Sequence, residues 1–130
     1  VKITGRVIVE NVVALIDSCS FEKKSVYCEL GLREKTTVSV FFIAHRDFYS
    51  LFLSHKNLIN DFNNCYFEKV LFQSIVEWRK KGDHKYSPFY LPVRMKGICG
   101  TSGAIYPNGN KIKAFSKYLL YHFFKHFIIN

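Results

Sequence analysis

The chain has 130 residues, a formal net charge of +9, and hydrophobic and aromatic contents of 48% and 17%. That length holds one hydrophobic core rather than two independent domains, and so apolar a composition excludes a disordered tail. No apolar run reaches the roughly 18 residues of a membrane-spanning helix, and the basic excess points to an anionic partner: nucleic acid, a phosphorylated small molecule or an acidic membrane surface.

Val1, Lys2, Ile3 and Thr4 alternate as a half-buried strand does, and Gly5 ends it. Residues 8–19 read as a short helix with Val12, Val13, Leu15 and Ile16 inward. Residues 26–32 read as a strand. The strongest strand signal is 36–44, β-branched, aromatic and nearly continuous in apolarity, as a strand covered on both faces requires. Asp47 is placed to cap a helix reaching 54, and Asn60 or Asp61 to cap a longer helix reaching about 80, where Gly82 stops it. Residues 89–95 return as a strand, at an edge because Pro92 has no N–H for a ladder. A glycine-spaced loop from Gly97 to Gly103, a turn at Pro107-Asn108-Gly109 and a final helix over 111–128 complete the chain. This interleaving predicts an α/β fold with a mixed sheet flanked by helices. Three or four strands make a thin sheet for this much apolar surface, and the chain starts at Val1 with Met95 as its one methionine. The expectation is a single unit over 1–130 that forms the back part of a longer polypeptide.

The cysteines, Cys19, Cys28, Cys65 and Cys99, are scattered without a C-x-x-C pair. That spacing suits neither a zinc ribbon nor a disulfide framework, and reads as free thiols in a reducing compartment.

Several constellations are candidates for chemistry. On a helix beginning at 61, Glu68 falls on the arc of Cys65, Leu71, Phe72 and Ile75. A carboxylate there is a desolvated general base, the partner of a cation across the fold, or a group on the helix's one exposed stripe. Gly97, Gly100 and Gly103, with Thr101 and Ser102, offer backbone and hydroxyl donors to an anion, supported by Arg94 and Lys96 upstream. A plain tight connection reads equally well. His45-Arg46-Asp47 leaves the end of the most apolar strand, where open α/β sheets place ligands. Asp47 there is first of all a helix cap. His122 and His126 lie one helical turn apart but lack a third metal ligand. The last helix mixes an apolar stripe, Ile112, Leu119, Leu120, Phe123 and Phe127, with Lys111, Lys113, Lys117 and Lys125. This composition suits either an anionic bilayer interface or ordinary packing with a wet face.

Lys2-Ile3-Thr4-Gly5-Arg6 resembles the K-(I/L)-(T/S)-G-R-Y segment of bacterial glycosyltransferases that build lipopolysaccharide and capsular polysaccharide, with Val7 where that family usually has tyrosine. Asn64-Cys65-Tyr66-Phe67-Glu68-Lys69 and Gly100-Thr101-Ser102-Gly103 are similar to later segments of the same family. The resemblance implies a partial GT-A-like, Rossmann-like sheet with a long C-terminal helix, the acceptor-side half of the enzyme. It implies a nucleotide-sugar donor and a glycan or lipid-linked acceptor, at the inner face of the plasma membrane in the cytoplasm. Many GT-A enzymes hold a divalent metal with an Asp-x-Asp segment, and Thr4-Gly5-Arg6 stands at the comparable place here.

The resulting expectation is a metal-independent transfer with no cofactor. Glu68 deprotonates the acceptor, and Arg6 steadies the leaving diphosphate. Lys2, Thr4, Gly5, His45, Arg46, Asp47, Arg94, Gly100, Thr101, Ser102 and Gly103 bind substrate. The C-terminal helix touches an anionic membrane, and no nucleic acid is involved. The alternative is a non-enzymatic basic α/β domain that binds nucleic acid or an anionic membrane surface.

Overall fold

A computed structural model describes residues 1–3, 7–21, 23–31, 35–98, 103, 105 and 110–128, with the backbone alone for Lys2, Ile3, Lys117, Tyr121 and 124–128. Thr4, Gly5, Arg6, Cys99, Gly100, Thr101, Ser102 and the turn at Pro107-Asn108-Gly109 lie outside the described residues. In order, the elements are β1 (Lys2–Ile3), β2 (Val7–Val9), α1 (Val12–Asp17), β3 (Ser25–Tyr27), β4 (Leu30–Gly31) and β5 (Thr36–Thr37). Then follow β6 (Phe41–Ala44), α2 (Arg46–Ser54), α3 (Phe67–Arg79), β7 (Lys85–Ser87), β8 (Met95–Gly97) and α4 (Lys111–Ile128).

The chain is mixed α/β. A four-stranded sheet runs β1-β6-β3-β7, and β2-β8 and β4-β5 form two-stranded ribbons. In the sheet β6 is antiparallel to both β1 and β3, whereas β3 and β7 are parallel. The unbroken apolarity of β6 reflects cover on both faces. Phe42 packs with Phe48 and Phe52 of α2 and with Val70, Leu71, Ile75 and Trp78 of α3. Phe41 and Ile43 face the other way, into Val9, Leu15, Phe89 and Val93. Successive side chains of a strand point to opposite faces, so one short strand anchors two apolar clusters. Each fully buried Phe or Leu in them contributes ~2 kcal/mol. On α3, Val70, Leu71, Ser74, Ile75 and Trp78 form the inward stripe, the i, i+4, i+8 spacing of one helical face.

Five expectations from the sequence are corrected. The strand over 26–32 is split into β3 of the four-stranded sheet and β4 of the β4-β5 ribbon. The strand over 36–44 is two strands in different sheets. The chain turns between them at Ser39 and Val40, and Val38 N–H donates to the Glu29 carbonyl at 2.8 Å. The helix over 8–19 shrinks to α1, because Val7–Val9 pairs antiparallel with β8, and Val13 is 68% exposed rather than inward. The helix from 61 begins only at Phe67. Asp61–Asn63 is a 3-10 turn closed by the Asn60 side chain, and Asn64 adopts φ 55°, a left-handed conformation through which an α-helix does not propagate. Residues 89–94 lie between β7 and β8 rather than in a strand, and of the expected stretch only Met95 is in one, as the first residue of β8. Pro88 and Pro92 withhold the N–H groups a ladder needs, and the Asn11 amide ties this segment down instead, donating to the Pro92 carbonyl at 2.9 Å.

Candidate functional site

The parallel pair of β3 and β7 sets Ser25 opposite Lys85, Val26 opposite Tyr86 and Tyr27 opposite Ser87. Val26 and Tyr86 belong to the core packed under α2 and α3. The alternation turns Ser25, Tyr27, Lys85 and Ser87 to the other face, where they line a cleft of about 490 Å³ that Tyr86 also borders. Lys23 comes from the segment ahead of β3, Arg79 from the end of α3, His84 from the turn after it, and Tyr118 and His122 from α4.

The charge in the cleft is one-sided. Lys23, Arg79 and Lys85 supply permanent cations, and among the described residues no carboxylate lines it. Lys23 and Lys85 have no ion-pair partner among the described residues. Rings make up much of the remaining wall. Tyr27 stacks on Phe89 at 6.3 Å, its hydroxyl donating to the Ser20 carbonyl at 2.7 Å and accepting from Ser20 N–H at 2.9 Å. Burial raises the Tyr27 phenol above its ordinary pKa, so it stays a neutral hydrogen-bonding group. Tyr90 meets Tyr118 edge-on at 5.2 Å, and Tyr118 lies 4.3 Å from the His122 ring. His84 stacks on Trp78 with centroids 3.7 Å apart, its Nε2 3.4 Å from Asp83. Cations, phenols and hydroxyls around one opening suit an anionic group attached to a flat ring. No group of three or more His, Cys, Asp or Glu among the described residues is placed to hold a metal ion.

Of the sequence candidates that are described, His122 of the His122/His126 pair lines this cleft, whereas Glu68 and the expected substrate-binding residues do not. Glu68 stands in the first turn of α3, where Ser39 Oγ donates to its carboxylate at 2.6 Å and Thr37 Oγ1 donates to its backbone carbonyl at 3.2 Å. His45, rather than Asp47, caps α2: its Nδ1 accepts from Asp47 N–H at 3.3 Å. Asp47 pairs with Lys24 at 3.3 Å, and that hydrogen bond, chief among several contacts, holds its carboxyl below the usual range. Arg46 points into solvent, 93% exposed. Arg94 is fixed through its backbone, its N–H donating to Asn11 Oδ1 at 2.9 Å and its carbonyl accepting from Glu10 N–H at 3.0 Å. Lys2 pairs with Phe42 in the β1–β6 ladder, and Gly103 takes φ +68°.

A second arrangement imitates a hydrolase triad. His55 Nδ1 lies 2.9 Å from Ser74 Oγ and its Nε2 lies 3.2 Å from Glu77. Ser74 is fully buried, however, and its hydroxyl donates to the Val70 carbonyl at 2.9 Å, so no substrate reaches it. The group ties α2 to α3.

Sequence reasoning missed the cleft residues although a signal was present. Ser25-Val26-Tyr27 and Lys85-Tyr86-Ser87 both alternate polar, apolar, polar, the second between Gly82 and Pro88. Comparison of the chain with protein-family models, with curated proteins and with solved structures finds no match.

Proposed function

We propose that the cleft between β3, β7 and α4 binds a phosphorylated ligand bearing a flat ring, a nucleoside diphosphate in kind. In this reading the chain supplies that site to a glycosyl transfer, from a nucleotide-sugar donor to a glycan or lipid-linked acceptor of a cell-surface polysaccharide. The observation that carries it is the convergence of Lys23, Arg79 and Lys85 with Tyr27, Tyr90 and Tyr118 in one opening without a carboxylate among the described residues. Fixed cations neutralise a diphosphate as it leaves, doing electrostatically what a divalent metal does in other enzymes. The transfer itself draws support from the Lys2-Ile3-Thr4-Gly5-Arg6 resemblance and the GT-A-like sheet it implies. Glu68 has no assigned part in it, since its carboxylate is engaged by Ser39 away from the cleft.

Cations beside rings also suit single-stranded nucleic acid. A cleft of about 490 Å³ falls in the ~300–1,000 Å³ range of small-molecule sites, and this favours a single nucleotide. Calorimetric titration with nucleoside diphosphates, the parent nucleosides and inorganic pyrophosphate tests the reading. Diphosphates bind, nucleosides bind far more weakly, and Lys85→Ala weakens the diphosphate about tenfold while circular dichroism is unchanged. Diphosphate affinity that ignores Lys85→Ala, or an oligonucleotide that outcompetes the diphosphate, overturns it.

A further inference from the structure

Helix α4 has a second face that the cleft does not use. Tyr118 and His122 line the cleft, and Ala114 is buried on the same side. At about 100° per residue, Ile112, Phe115, Leu119 and Phe123 share the adjoining arc, and they are 77%, 43%, 37% and 78% exposed. Leu120, also exposed, borders them, and Tyr90 meets Phe115 edge-on at 5.7 Å. Lys111 and Lys113 are exposed at the start of the helix, and the whole run KIKAFSKYLLYHFFKHFI contains no Asp or Glu. Among the described residues, no helix is long and apolar enough to cross a membrane.

We propose that α4 docks this chain along an anionic bilayer surface, with Ile112, Phe115, Leu119 and Phe123 at the headgroup–acyl boundary and the lysines at the level of the lipid phosphates. Charge selects this occupant. An acid-free basic helix with an exposed apolar stripe matches a surface that is negative outside and apolar beneath. A second copy would bring lysines against lysines with no carboxylate on the helix to answer them. The inference does not depend on what the cleft binds. Its consequence is positional: Tyr118 and His122, on the same helix, place the cleft beside the lipid surface.

Sedimentation of the full chain with vesicles tests this, using phosphatidylcholine alone and phosphatidylcholine mixed with phosphatidylglycerol. The chain pellets with the mixed vesicles and stays largely in solution with the neutral ones. Ile112→Asp combined with Phe123→Asp, both at well-exposed positions, lowers the partition coefficient about a hundredfold and leaves the circular dichroism and the diphosphate titration unchanged. Lys111→Glu with Lys113→Glu also weakens binding, through charge alone. Equal binding to neutral vesicles, or no loss in the Ile112/Phe123 variant, overturns the proposal. So does a concentration-dependent dimer in light scattering that the same variant abolishes, which would assign the face to a second copy.

Discussion

Ser39 donates to the Glu68 carboxylate at 2.6 Å, joining the turn before β6 to the first turn of α3. A carboxylate in that first turn also complements the positive end of the helix. The pair closes the sheet against α3 at the point where the chain leaves one ribbon for the central sheet, and Thr37 reinforces it by donating to the Glu68 carbonyl. Glu68 is thereby a fastening between elements.

Removing one partner measures that fastening. Ser39→Ala loses a charge-assisted hydrogen bond at a half-buried site, and costs about 1 kcal/mol in denaturant unfolding. Glu68→Gln keeps an acceptor oxygen and costs less. Both variants retain diphosphate affinity in the cleft. A loss of ligand binding without a loss of stability would return Glu68 to the site.

Asn11 performs a similar task with both ends of its amide. Its Nδ2 donates to the Pro92 carbonyl and its Oδ1 accepts from Arg94 N–H, each at 2.9 Å. Asn11→Ala removes the protein partner of the part-buried Pro92 carbonyl and leaves the exposed Arg94 N–H to water, and lowers stability by about 1 kcal/mol. Hydrogen exchange at Arg94 reports it directly, rising in the variant while the α3 amides follow only the global change.

The sequence was legible where its signals were redundant. Phe41-Phe42-Ile43 reads as a doubly covered strand, and the apolar spacing of α3 from Val70 to Trp78 repeats on one face for more than two turns. Boundaries went wrong where a side chain rather than periodicity decides them. Asn64 in a left-handed conformation postpones α3 to Phe67, which moves Glu68 from mid-helix to a helix start. His45 takes the cap expected of Asp47, which lies inside the first turn of α2 and pairs with Lys24. The cleft was hidden for another reason. Lys23, Tyr27, Arg79, Lys85 and Tyr118 are far apart in the chain, and only the parallel register of β3 and β7 and the return of α4 bring them together.

Two thiols, the buried Cys28 and the half-buried Cys19, give the protein an alkaline limit. Burial pushes the Cys28 thiol well above its ordinary value of 9.0, with Glu29 adding to the effect, and raises Cys19 to about 11. Well below pH 9.0 both thiols are neutral in the folded and unfolded chain alike, so they leave stability unchanged. As pH rises past that value the unfolded chain ionises first, and stability falls by up to about 1.4 kcal/mol per pH unit for Cys28 and by less for the half-buried Cys19, which solvent screens. Cys28→Ala flattens the slope measured by denaturant unfolding. In the native chain at neutral pH, iodoacetamide modifies Cys65 ahead of Cys28, which is fully buried and reacts only on unfolding.

The central claim, that the cationic, ring-lined cleft receives a phosphorylated ligand, is tested most directly by nuclear magnetic resonance of the backbone amides during titration with a nucleoside diphosphate. The account predicts saturable shifts at Ser25, Tyr27, Lys85 and Ser87, with Ser39 and Glu68 unmoved. Shifts centred on Ser39, Glu68 and His45, with the β3 and β7 amides silent, would contradict it.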